Sequence, residues 1–138
     1  MILVLNILDN NQAEWILVQD KETKHQFAMQ PGEENILAEL DAFLNKQKIK
    51  LANITGLGLA IKKASLTQVK VQVTIINTLG YELQVPASAE FYYEGDFKTE
   101  DLVKKIKSQK SFKAIKPEYQ QAAEITVSKK PSKFTIVK

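Results

Sequence analysis

Apolar residues fall along this chain in runs of two different rhythms. Ile2 to Leu8 is a short apolar run with no helical spacing, which predicts a buried strand, and the polar Asp9-Asn10-Asn11 turn ends it. Trp15 to Val18 and Lys24 to Met29 predict two further strands joined by a polar connection at Asp20 to Thr23, most simply as a three-stranded antiparallel meander. Pro31-Gly32 breaks that pattern. Glu33 and Glu34 then place carboxylates in the first turn of a helix over 33–47, where the macrodipole favours them. Ile36, Leu37, Leu40, Phe43 and Leu44 recur at spacings of three and four, so the helix has a wide apolar face. Ile49 and Leu51 enter a connection, and Ile54 to Ile61 predicts a fourth strand. It should lie parallel to the first, with the helix as crossover.

From residue 65 the two rhythms overlap. Val69, Val71, Val73 and Ile75 alternate like a strand and are β-branched, yet Leu66, Val69, Val73, Ile76 and Leu83 fall on one helical stripe. Local propensity alone favours the strand. Val85-Pro86 predicts a short extended segment, and Phe91-Tyr92-Tyr93 either another strand or a surface-covering loop. A short helix should begin at Thr99-Glu100-Asp101, with Thr99 as N-cap, and run through Leu102, Val103 and Ile106. Beyond Ser108 the chain is rich in lysine and punctuated by Pro117 and Pro131. It reads as an extended arm with Phe134 to Val137 as a last edge strand, or else as a disordered tail.

With 138 residues, 44% of them hydrophobic, the chain suits one compact domain with its own core. It contains no apolar run long enough to span a bilayer, and no basic region precedes the apolar N-terminal stretch, so a cytoplasmic protein is expected. Without cysteine there are no disulfides, zinc thiolates or thiol nucleophiles, and one histidine builds no histidine-rich metal centre. His25 is expected to face solvent, Trp15 and the Phe91-Tyr92-Tyr93 cluster to pack, and Glu33, Glu34, Glu39 and Asp41 to form a solvated face. No catalytic residue, cofactor or metal is expected.

Charge is uneven: residues 1–95 sum to roughly −3 and residues 96–138 to roughly +6. Every cation is a lysine, which removes the bidentate guanidinium contacts that read bases or clamp phosphates. Weak, salt-sensitive RNA contact is what such a tail would supply. The second functional reading is accordingly a small lysine-rich RNA-associated protein that uses its basic C-terminal half.

Three strands, a helix, a strand and a helix form the order of half an actin-like or ribonuclease H-like fold, and several segments sharpen the comparison. Ile2-Leu3-Val4-Leu5-Asn6-Ile7-Leu8 stands where one family reads Ile-Leu-Ala-Leu-Asp-Thr-Ser. Glu34 to Leu44, with Ile36, Leu37, Asp41 and Phe43, follows that family's Glu-x-Leu-Leu-Pro-x-x-Asp-x-Leu-Leu helix. Lys62-Lys63-Ala64-Ser65-Leu66-Thr67-Gln68-Val69-Lys70-Val71-Gln72 falls on its Gly-Pro-Gly-Ser-Phe-Thr-Gly-Leu-Arg-Ile-Gly signature, with Ser65 and Thr67 identical and Lys70 conservative. Val85-Pro86 fits the Gly-Ile-Pro after its second helix, and Pro117-Glu-Tyr119 with Ala123-Glu124 resembles its C-terminal end. The chain thus resembles the TsaB (YeaZ, glycoprotease-like) family of the actin-like ATPase superfamily, fairly well over residues 1–90 and loosely over 115–126.

The resemblance implies a fold and a role. Residues 1–90 would form a ribonuclease H-like lobe, with 91–138 a reduced basic segment packed on it and 65–82 helical in spite of the alternation. The loop Lys62, Lys63, Ala64, Ser65, Thr67 and Lys70 would be a degenerate relic of the glycine-rich signature, since side chains replace the glycines that let backbone approach an anion. Asn6 would lack the carboxylate that actin-like ATPases place near their metal. TsaB proteins are non-catalytic partners in threonylcarbamoyladenosine (t6A) modification of tRNA, and their two helices pack on those of the enzyme TsaD. Carried over, this implies a non-enzymatic subunit that meets a TsaD-like protein, or a second copy of itself, through helices 33–47 and 65–82. Ile36, Leu40, Phe43, Val69, Val73 and Ile76 would be the interface residues. On helix 65–82 the stripe Val69, Val73, Ile76 and the stripe Val71, Ile75, Leu79 could face in opposite directions, and the competing expectation is that both are covered within the monomer, one by the sheet and one by the 96–138 arm.

Overall fold

The computed structural model describes residues 1–9, 11–20, 22–29, 33–93 and 95–117; the Pro31-Gly32 break and the Phe134 to Val137 strand expected from the sequence lie outside them. Five strands form one mixed sheet in the order β3-β2-β1-β4-β5, built from β1 (Ile2–Ile7), β2 (Gln12–Gln19), β3 (Glu22–Met29), β4 (Gly56–Ile61) and β5 (Ala87–Phe91). Helices α1 (Glu33–Lys46), α2 (Leu66–Leu83) and α3 (Thr99–Lys107) complete the described elements, with a single 3-10 turn at Leu51–Asn53.

The first three strands form the expected antiparallel meander, with Leu5 opposite Trp15 and Ile16 opposite His25. Gln19 pairs with Glu22, leaving a two-residue connection whose Asp20 takes the left-handed conformation at φ 55°. Asp tolerates that region better than a bulky residue would. β4 then runs parallel to β1, as expected of a strand reached through a crossover helix.

Alternation along the strands sorts two cores. Leu3, Leu5, Ile7, Trp15, Leu17, Leu57, Leu59 and Ile61 face α1 and α2, and the Trp15 indole donates to the Ile36 carbonyl at 3.0 Å. Ile2, Val4, Ile16 and Ala60 face the opposite way, against Leu102, Val103 and Ile106 of α3. The small residues of Gly56-Leu-Gly-Leu-Ala60 belong to this second contact. A Cβ on Gly58 would lie 2.9 Å from Leu102 Cδ2, and one on Gly56 would lie 2.6 Å from Ile106 Cγ2. The glycines let α3 lie close on the sheet.

Residues 66–83 are helical, which decides the ambiguity against the alternation. Ser65 is the N-cap, its hydroxyl accepting from the Gln68 amide at 3.2 Å. Val69, Val73, Ile75 and Ile76 are buried and Val71 and Leu79 half-buried, so the helix is apolar on more than one side. Its C-terminal half is crossed by residues 112–115: Asn77 both donates to and accepts from the Ile115 backbone, at 3.0 and 2.7 Å, and Phe112 fills the space over Gly80.

Two boundaries differ from expectation. α3 has Lys98, not Thr99, as its N-cap, with no side-chain hydrogen bond there; Glu100 and Asp101 in its first turn complement the exposed amides instead. The fourth strand begins at Gly56 rather than Ile54; Ile54 closes the 3-10 turn, its amide donating to the Leu51 carbonyl at 3.0 Å. The cluster Phe91-Tyr92-Tyr93 is split. Phe91 closes β5, the edge strand, and Tyr92 turns into the α3-side core beside Phe97, the two rings stacked at 5.2 Å.

Candidate functional site

Two places can carry a role: the ends of β1 and β4 where the glycine-rich signature would sit, and the outer face of the α1–α2 layer. At the first, β1 turns Asn6 toward the α3 side of the sheet. Antiparallel pairing sets Glu14 directly opposite it. The Asn6 amide donates to Glu14 Oε1 at 3.2 Å, and the Tyr92 hydroxyl donates to Asn6 Oδ1 at 2.7 Å. All three residues are at least nine-tenths buried. Glu14 Oε2 also meets the Nδ1 of His25, which is 45% exposed on β3, at 3.2 Å. Burial, reinforced by the negative Glu14, holds the Tyr92 hydroxyl above its ordinary pKa, so it stays a donor. Both ends of the Asn6 carboxamide are therefore engaged inside the protein.

The adjoining loop is built without glycine's help. None of residues 62–65 has a positive φ, the Lys62 amide donates to the Ile7 carbonyl at 2.9 Å, and Ser65 is spent on capping α2. Lys62, Lys63, Thr67 and Lys70 point to solvent and Ala64 is half-buried. Among the described residues no group of three or more His, Asp or Glu is arranged to hold a metal ion. No described helix is long and apolar enough to cross a membrane.

At the second place the structure corrects the interface residues expected from the stripes. Ile36, Leu40, Phe43, Val69, Val73 and Ile76 are all 5% exposed or less and belong to the core between the helices and the sheet. An amphipathic stripe marks the side a helix turns toward its own sheet, and a partner meets the other side. The outward surface is made by Leu37, 40% exposed, and by an apolar groove of about 420 Å³ that Leu37 lines with Leu44, Ile49, Leu51 and Leu79; of the six expected interface residues, Leu40 also lines this groove. Asp41, Asn45 and Lys50 rim it.

The sequence matches no protein-family profile and no curated protein. Solved structures do match. YeaZ from Pseudomonas aeruginosa superposes with a TM-score of 0.57 at 16% identity over 64% of this chain. The chain shares its fold with YeaZ. A second structure, an uncharacterized protein with similarity to peptidase YeaZ from Pseudomonas aeruginosa, gives the same TM-score, identity and coverage of this chain. The present chain spans only 42% and 41% of the lengths of these two proteins. YeaZ has the ribonuclease H-like fold of the actin-like ATPases, and the β3-β2-β1-β4-β5 sheet with helices on both faces is one lobe of that architecture.

The Asn6–Glu14–Tyr92 set was not among the residues expected from the sequence. Its signal was the hairpin register, which puts Asn6 and Glu14 on one face; Tyr92 joins them only through the turn after β5.

Proposed function

We propose that the chain is a non-catalytic, YeaZ-like partner subunit associated with t6A modification of tRNA, and that it docks on a TsaD-type enzyme through the outer face of α1 and α2. The observation that carries this reading is the apolar groove between the helices, open beside the exposed Leu37, in a chain that shares its fold with YeaZ. The closed Asn6 carboxamide and the glycine-free loop support a role outside catalysis.

The test is size-exclusion chromatography with light scattering on the protein alone and mixed with the TsaD-type protein of the same organism, at low and high salt. A helix-packed interface gives a heterodimer that survives salt, because apolar burial is not screened as exposed charge is. Leu37→Asp should abolish it while leaving monomer stability within about 0.5 kcal/mol, as for an exposed position away from the core. A dimer of the chain with itself would move the same surface to self-association. A monomer in every mixture would refute the proposal.

A further inference from the structure

β5 is an edge strand, and its parallel register with β4 determines which backbone groups it leaves open. The Leu57 amide donates to the Pro86 carbonyl and the Tyr92 amide to the Ile61 carbonyl, both at 2.9 Å. In a parallel ladder this assigns residues 86, 88, 90 and 92 to β4 and turns the amides and carbonyls of Ala87, Ala89 and Phe91 away from the sheet. The Lys105 ammonium reaches that edge and donates to the Ala89 carbonyl at 2.7 Å, leaving the carbonyl's second lone pair for a further donor.

The edge opens into a trough of about 250 Å³ between α3 and the 113–116 segment. Its apolar lining comes from Ala89, Phe91 and Ile115, and its rim from Lys105, Lys113 and Lys116. The chain from 102 to 117 contains six lysines and no acidic residue, and Glu90 is the one acid on β5 itself. Gln109 also lines the trough, and its side-chain oxygen is buried without a hydrogen-bond partner. A buried acceptor of that kind is costly unless something donates to it.

We propose that this edge binds an acidic peptide in extended conformation, which adds to the sheet beside β5. The peptide backbone pairs with Ala89 and Phe91, alternate carboxylates meet Lys105, Lys113 and Lys116, and a peptide amide or side-chain donor satisfies Gln109. Backbone pairing supplies affinity and alternate side chains supply selectivity in such strand addition. RNA fits the lysines but not the row of outward amides and carbonyls. The inference is independent of the docking face on α1 and α2, which lies on other elements.

The experiment is fluorescence anisotropy on the full chain with three labelled probes: an eight-residue peptide alternating valine and glutamate, the same peptide N-methylated at alternate residues, and an oligo-uridine of equal charge. The expected result is saturable binding of the first peptide, at least tenfold weaker binding of the N-methylated one, and weaker binding of the RNA. Ala89→Pro removes an outward amide without touching the β4 ladder, a change that edge strands accept. It should weaken the peptide at least tenfold with an unchanged circular dichroism spectrum. If that variant unfolds, Lys113→Glu with Lys116→Glu serves, since these exposed changes should weaken the peptide at least tenfold in a folded protein. Equal binding of both peptides, tighter binding of the RNA, or no binding of the first peptide overturns the proposal.

Discussion

Tyr92→Phe tests whether Asn6 is closed off from water as the geometry has it. The substitution keeps the ring stacked on Phe97 and deletes one hydroxyl, so Asn6 Oδ1 loses its 2.7 Å donor at a site only 4% exposed. Leaving a buried carbonyl oxygen unpaired costs about 1–3 kcal/mol. In a domain of this size that lowers Tm by roughly 3–15 °C, at about 3–5 °C per kcal/mol. The same hydroxyl also leaves a mark on the pH dependence. Burial and the neighbouring Glu14 raise the Tyr92 pKa above its ordinary value of 10.0. Above pH 10 the unfolded tyrosine releases its proton while the folded one retains it, so wild-type stability falls as pH rises through the window between the two pKa values. The slope from this one group is at most about 1.4 kcal/mol per pH unit. Phenylalanine lacks that term, so the advantage of wild type over the variant should be full at pH 8 and shrink between pH 10 and 11. Urea unfolding of both proteins at pH 8, 10 and 11 measures it, with the other tyrosines common to both. A difference below about 0.5 kcal/mol at pH 8, or one that does not change with pH, would show that water reaches Asn6 and refute the closed network.

Other substitutions probe the packing that surrounds it. Gly58→Val should cost about 1–3 kcal/mol by forcing α3 off the sheet, and a Gly58→Val, Leu102→Ala double variant should recover part of it, a coupling read from chemical denaturation. Gln84→Gly should stabilise by about 0.5–1 kcal/mol, because Gln84 ends α2 in the left-handed conformation at φ 54°; a lower Tm would contradict this. Asn77→Ala removes both hydrogen bonds that tie Ile115 to α2, so amide exchange at Ile115 should accelerate at least tenfold while the β1 and β4 amides stay protected.

How far the sequence could be read depended on whether a residue's partner lay near it in the chain. The meander, α1 and the parallel β4 were legible because one buried face per element writes its period directly into the apolar pattern. Residues 66–83 were not legible locally. Val69, Val71, Val73 and Ile75 alternate only because this helix is covered both by the sheet and by a later segment, and β-branched residues disfavour a helix only slightly. β5 was missed because Ala87-Ser-Ala-Glu lacks β-branched residues and is held by β4. The interface was misplaced for a related reason. The six residues chosen from the stripes proved to be buried, while the outward groove is lined by Leu37, Leu40 and Leu44 of α1 and Leu79 of α2; each belongs to an apolar face of its helix, but their meeting across 20 residues or more of chain is not written in either helix's period. The role of Gly56 and Gly58 in seating α3 was not legible either, because their partners Leu102 and Ile106 lie more than 40 residues on.

What Asn6 does bears on how the proposed role is compatible with the fold. Placing an acid there by Asn6→Asp would replace the amide that donates to Glu14 with a carboxylate and set two negative groups at hydrogen-bonding distance. Like charges so placed cannot both ionise at ordinary cost, and one would hold its proton. The folded protein would then bind that proton more tightly than the unfolded chain, so the variant would be nearly as stable as wild type at low pH and lose stability as pH rises past the ordinary carboxylate range. A single substitution thus separates two environments for the position. An acid that costs little at pH 7 would mean a site still open to an ion or water. An acid whose cost grows with pH would mean that Glu14 and Tyr92 have made the position part of the core, leaving the outer faces of the molecule to carry its function.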